Sequence, residues 1–94
     1  MDTDTAETIA ICALAFLADD EQRLGRFLAL TGLGPGELKA QAHTPRILAA
    51  VLDYLLHDES LLLVFAASNR IAPEQIAPAQ QHLAKRTSGS FNTR

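Results

Sequence analysis

Three glycines and one proline fall within residues 30–42, LTGLGPGELKAQA, between two apolar helical patterns. The triplet Gly32-Leu33-Gly34 has the form of a helix-hairpin-helix turn, whose exposed backbone N–H groups bind a DNA phosphate. Lys39 follows the triplet and would add a positive charge, and two arginines precede it. The candidate interaction surface predicted from these residues, around the joint Gly32–Gly36, comprises Arg23, Arg26, Gly32, Gly34 and Lys39.

Helix capping alone also explains this joint. Gly32 falls where a left-handed cap is expected to end one helix. Gly34 and Pro35 then provide the N-cap and the first position of the next helix, and Glu37 can fold back onto a free N–H. Basic charge, which phosphate binding needs, is sparse nearby, and Leu38 falls where the hairpin motif prefers a small residue. The sequence therefore favours a structural joint, and we expect no nucleic-acid binding.

Other reactive side chains form no pattern typical of a catalytic or metal site. The chain has three histidines, His43, His57 and His82. Their spacing matches no zinc motif. Cys12 lies in an apolar helical pattern, without the basic neighbours that activate a thiol, and we expect it in the core. We therefore predict a non-enzymatic protein with no cofactor and no metal ion.

Composition restricts the class of protein. The 94 residues suffice for one small domain, and an alanine- and leucine-rich sequence with 5% aromatic residues favours helices. The net charge of −3 gives no general attraction to nucleic acid or membrane surfaces. The apolar run Ile9–Ala18 has about half the length of a membrane span, and the acidic start lacks a basic secretory leader. A single cysteine fits a reducing compartment, so we expect a cytoplasmic protein.

Hydrophobic periodicity predicts six short helices. Their expected positions are about 6–18, 20–30, 35–42, from Thr44–Pro45 onward, 58–68 and 73–85. Asp4 or Thr5 is the predicted cap of the first helix, and Pro78 predicts a kink or a loose first turn in the last. Residues 6–85 then form one domain, with disordered segments at 1–5 and 86–94.

An internal repeat organises these helices. When the chain is shifted by 38 residues, 6–43 aligns on 44–81 without a gap, and nine of the 38 pairs are identical. Composition alone would give roughly three. Phe27/Phe65 and Pro35/Pro73 are two of the identical pairs. The repeat predicts two pseudo-symmetric halves of three helices each, neither large enough to fold well alone.

Helix one is apolar nearly all round, and helix five contains the run LLLVFAA. We expect the two halves to pack face to face and bury both helices. An uncovered strip would instead indicate a dimer face or a groove for a partner helix.

Two longer stretches resemble a known family. They are LGRFLALTGLGPGELK (Leu24–Lys39) and VLDYLLHDESLLLVFA (Val51–Ala66). Through them the chain resembles the domain-of-unknown-function family 3572, from about Ala6 to Ala84. The resemblance implies a small helical protein of the kind found in alphaproteobacteria. It implies no activity and no functional residue, because the family has no assigned function.

The sequence therefore predicts an all-α domain of five or six short helices in two three-helix halves. The function that fits it best is a non-enzymatic protein-interaction module of the bacterial cytoplasm. The sequence does not identify the protein partner, and a second copy of the chain, giving a homodimer, is one candidate. The alternative is a helix-hairpin-helix-like nucleic-acid-binding domain that uses the joint Gly32–Gly36.

Overall fold

The computed structural model describes residues 1–91, and over this range it contains helices and no β-strand. The helices are α1 (Thr3–Ala18), α2 (Glu21–Thr31), α3 (Pro35–Gln41), α4 (Pro45–Leu56), α5 (Glu59–Asn69) and α6 (Ile76–Phe91). A 3₁₀ turn, Pro73–Gln75, immediately precedes α6. The predicted all-α fold class is confirmed.

The core lies where α1, α4 and α6 pack against one another. The largest fully buried side chains include Leu17, Phe27, Leu52, Phe65 and Leu83. Each such side chain contributes roughly 1.5–3 kcal/mol to stability on burial. Helices α2 and α5 are attached to this centre through the aromatic pairs Phe27–Tyr54 and Phe16–Phe65, whose ring centroids lie 5.5 and 5.4 Å apart. Helix α3 has only slight contact with the other helices.

Three helices begin at a side-chain cap, and each cap is the residue at which that helix is predicted to begin. The Asp20 carboxylate accepts from the Gln22 N–H at 2.9 Å, and Asp58 accepts from Leu61 at 3.2 Å. Thr44 caps α4 at its Oγ1, with Pro45 as the first helical residue. Each cap satisfies an N–H group that has no partner within its helix and stabilises that helix by about 1 kcal/mol.

The start of α1 differs from the prediction. Asp2, and not Asp4 or Thr5, is the N-cap, because its carboxylate accepts from the Thr5 N–H at 3.0 Å. Hydrogen bonds from the side chain and the backbone N–H of Thr5 lower the pKa of the Asp2 carboxyl. Residues 3–5, predicted to be disordered, are helical. Thr3 Oγ1 also lies 2.8 Å from Nε2 of His82 on α6, which ties this first turn to the core.

The last helix has the loose start that Pro78 predicts. Its first turn is the 3₁₀ segment, and Pro78 is the third residue of α6, where its missing N–H removes no helical hydrogen bond. No further proline follows, and α6 continues to Phe91, past the predicted end near Lys85 and into the predicted disordered tail. The remainder of that tail, 92–94, lies outside the described residues.

Several helix boundaries of the first proposed half recur 38 residues later in the second half. Helices α2 and α5 agree in this offset at both ends. Among the described residues, positive φ angles occur at Gly32 (76°) and Arg70 (56°), which end these two helices with the same separation. The third helices differ, since α3 has seven residues and slight contacts while α6 has sixteen and packs on α1 and α4. Superposition of residues 6–43 on 44–81 stays a prediction.

Gly25 inside α2 and Gly32 at its C-cap provide a matched test of the cap assignment. A Cβ atom at Gly25, inside the helix, would meet no atom within 4 Å, and neither would one at Gly32, whose φ is +76°. Gly25→Ala should therefore raise the free energy of unfolding by about 0.5–1 kcal/mol, because alanine loses less entropy in a helix. Gly32→Ala should lower it by about 1–2 kcal/mol, because a Cβ disfavours the left-handed conformation. Urea denaturation followed by circular dichroism measures both.

Arg70→Gly supplies the opposite control at the end of α5. Glycine adopts the observed φ of 56° without a steric penalty, so this variant should be at least as stable as the parent. Unchanged stability in Gly32→Ala would show that the left-handed cap is not required.

Candidate functional site

Three backbone N–H groups of the joint between α2 and α3 already have partners. The Gly32 N–H donates to a carbonyl in the last turn of α2 at 2.9 Å. The Leu33 N–H donates to the Thr31 hydroxyl, and the Gly34 N–H donates to Oε1 of Glu37, each at 3.4 Å. A phosphate would have to displace these partners and would also meet the Glu37 carboxylate. The geometry of the joint is therefore that of helix capping.

The two predicted arginines lie beside carboxylates. The Arg23 guanidinium lies 4.4 Å from the ring centroid of Phe16, and its Nε lies 3.8 Å from Oδ2 of Asp20. The contact with Phe16 helps to hold α2 against α1, whereas Asp20 is the N-cap of α2 itself. Arg26 is exposed, and it lines a pocket of about 220 Å³ together with Arg23, Asp20 and Asp58. The carboxylates reduce the positive potential that these arginines offer to an anion.

Lys39 lies apart from the arginines, in the wall of a different pocket of about 530 Å³. We call it the Lys39 pocket. The other described residues of its wall are uncharged: Leu14, Ala18, Leu24, Leu28, Pro35, Gly36, Leu38 and Ala42. The structure thus divides the predicted site residues between an arginine pocket and an apolar pocket, with Gly32 and Gly34 in the connecting chain.

The Lys39 pocket exists because the first half is incompletely covered. Leu14, Leu24 and Leu28 are only half-buried. The residues 38 positions later are all buried: Leu52, Leu62 and Ala66. In the second half the long α6 covers α4, whereas α3 ends at Gln41 and barely contacts α1. The sequence carried a signal for this difference, because the helix start at Thr44–Pro45 shortens α3 and nothing comparable shortens α6.

One side of α1 is also uncovered. Its buried side consists of Ala6, Ile9, Ala10, Ala13 and Leu17. On the other side lie Ile11, which is 49% exposed, half-buried Leu14, and exposed Ala15 and Ala18. These four residues, which we call the α1 strip, recur at helical spacing and form one face. Through Leu14 and Ala18 the strip borders the Lys39 pocket.

The expectation that the two halves bury α1 and α5 completely is therefore wrong. Helix α5 buries Leu62, Phe65 and Ala66, but Leu63 and Val64 are 48% and 47% exposed. The α1 strip and the Lys39 pocket form one continuous surface. Leu63 and Val64 lie outside the Lys39 pocket, although Val64 shares a different pocket with Ala15 of the strip. Burial against the neighbouring half covers one side of each helix because a helix presents at most about half its circumference to a single layer.

The remaining reactive residues are dispersed. His82 contacts Thr3, and Nδ1 of His57 lies 2.8 Å from the backbone oxygen of Asp53 at the end of α4. Cys12 is half-buried, at the edge of the core rather than inside it. In the described part of the chain, no three histidine, cysteine or acidic residues come together in a way that could hold a metal ion. No helix within residues 1–91 has both the length and the apolar character needed to cross a membrane.

Comparison with models of protein families gives a match. A family model described as "Protein of unknown function (DUF3572)" matches residues 3–86. No curated protein and no solved structure matches the chain. The resemblance predicted from the two quoted stretches is confirmed.

The exposure of Leu14 can be tested against its counterpart in the second half. Leu14→Gln should lower the free energy of unfolding by less than about 1 kcal/mol, because the amide can reach solvent. Leu52→Gln should lower it by about 3–5 kcal/mol, since Leu52 is fully buried and the amide would have no partner. Thermal and urea denaturation give both values. Equal losses would mean that the Lys39 pocket is closed in solution.

Proposed function

The chain thus belongs to a family of proteins of unknown function, DUF3572, and since that description names no activity, we propose that it is a non-enzymatic protein-interaction module of the bacterial cytoplasm. The observation that supports this proposal is the continuous apolar surface made by the α1 strip and the Lys39 pocket. Contiguous apolar surface of this kind on a small domain typically marks a site for a protein partner.

The energetics of this surface favour an occupant. Completing the burial of Ile11, which is about half exposed, contributes about 1 kcal/mol, and completing that of a less exposed leucine contributes a fraction of this. Four such side chains lie on the surface: Ile11, Leu14, Leu24 and Leu28. Together they could contribute a few kcal/mol before the entropy of association is subtracted. An apolar groove between helices is a common receptor for an amphipathic helix.

The chemistry of the pocket wall argues against catalysis as its role. Lys39 is the one ionisable group among the described wall residues, and no hydroxyl, thiol, imidazole or carboxylate accompanies it. Acid–base and nucleophilic mechanisms need at least two such groups in mutual reach. A single lysine above an apolar floor is suited to placing an acidic group of a bound protein.

Affinity capture from the native bacterial lysate tests this function, with bound proteins identified by mass spectrometry with and without nuclease. The parent protein should retain a specific protein after nuclease treatment. A Leu14→Gln/Leu28→Gln double variant should lose it, because two polar amides would be placed on the apolar surface. Leu63→Gln is the matched control, since it changes an exposed leucine outside the Lys39 pocket.

Gly34→Val in the same experiment distinguishes the nucleic-acid alternative. Gly34 has an extended conformation with φ of −83°, and a Cβ there would meet no atom within 4 Å, so the fold should tolerate valine. A protein-interaction module should capture its partner equally well with this variant. Capture that disappears with nuclease, weakens steeply with salt and fails in Gly34→Val would contradict the proposal and favour the helix-hairpin-helix reading.

A further inference from the structure

We infer that the occupant of the α1 strip is a second copy of this chain, bound through an antiparallel pair of α1 helices related by a twofold axis. The inference rests on the proposed function, because it names the partner of the same apolar surface.

The sizes of the four strip residues are complementary only in the antiparallel arrangement. The first half of the strip carries the large residues Ile11 and Leu14, and the second half carries Ala15 and Ala18. A twofold axis between residues 14 and 15 places Ile11 of each copy against Ala18 of its partner. The two Leu14 side chains then meet at one edge of the helix pair, and the two Ala15 side chains meet at the other edge. A parallel pair would oppose Ile11 to Ile11 and leave a gap between the alanines.

The charges beside the strip support the same orientation. Asp4 and Glu7 lie on α1 before the strip, and Glu7 shares a side with Leu14 because the two are seven residues apart. Lys39 lies at the other end, beside Leu14 and Ala18. Neither Glu7 nor Lys39 forms an ion pair with a described residue.

Reversal of one copy brings these charges together. With the axis between residues 14 and 15, Glu7 of one copy is level with a point four helical rises past Ala18 of the other, beyond the end of α1. That level is about 6 Å beyond Ala18, within the length of a lysine side chain. A twofold axis of this kind keeps the Leu14 sides of both helices on one edge of the dimer, so Glu7 faces Lys39 of the second copy twice. A parallel twofold pair would place them on opposite edges.

Sedimentation equilibrium of the full chain tests the inference. The parent should sediment with twice its mass of 10.1 kDa. Ile11→Glu should be monomeric and retain its helical circular dichroism. Leu63→Glu should remain a dimer, because Leu63 is exposed to almost the same extent as Ile11, 48% against 49%, but lies on α5. A monomeric parent, or equal disruption by both variants, would overturn the inference.

Charge exchange tests the orientation. Glu7→Lys and Lys39→Glu should each raise the dimer dissociation constant about tenfold, since each change affects two weak ion pairs in the dimer. The double variant should return the constant to near the parent value, because the pairs are restored with reversed sign. Absence of such recovery would contradict the antiparallel arrangement.

Cysteine cross-linking in a Cys12→Ser background gives an independent measurement. Ala15→Cys should form a disulfide-linked dimer, because this residue lies near the twofold axis. Ile11→Cys alone should not, since its two copies are about 10 Å apart along the helices. Ile11→Cys mixed with Ala18→Cys should cross-link, and self-linking of Ile11→Cys would indicate a parallel pair. A monomeric parent that still captures a protein would refute the dimer but leave the proposed function in place.

Discussion

The packing of α6 against α1 and α4 is the interaction on which the rest of the structure depends. It places Ile76, Ala79 and Leu83 entirely inside the core. Because α6 is long enough to cover α4, the second half of the molecule has a closed interior. The first half has no helix of that length, since Thr44–Pro45 begins α4 soon after α3 starts. The open apolar surface thus follows from helix length, because both halves are rich in leucine and alanine.

Local chemistry made the helices largely predictable. Asp20, Thr44 and Asp58 cap helices at the residues where these helices are predicted to begin, because capping depends on residues only two or three positions away. The start of α1 was predicted too late although its cap, Asp2, is also local, and the first turn is held in addition by the contact between Thr3 and His82, which are 79 residues apart in the chain. Such a contact leaves no periodic signal in a single sequence.

The candidate site was only partly predictable, for a related reason. The glycines of the joint and Arg23 stand out by residue type, yet the structure engages them in capping and in contacts with Phe16 and Asp20. The residues of the Lys39 pocket wall are ordinary leucines and alanines, which a helical pattern assigns to the core. Whether Leu24 and Leu28 are covered depends on how far α3 extends and how closely it approaches α1. Periodicity fixes which side of a helix is apolar, but the neighbouring elements determine how much of that side is buried.

The position of α6 in the chain has a consequence for how the protein forms during synthesis. Of the six described helices, the one that completes the core is made last, and its main partners, α1 and α4, precede it by many residues. While the ribosome is still holding α6, the nascent chain exposes the apolar sides of both partners. Contacts between distant segments also slow folding, because closing the loop between them costs entropy before the contacts contribute favourable energy. Completion of the core is therefore expected to wait for α6, with a period during which chaperones can bind the unfinished core.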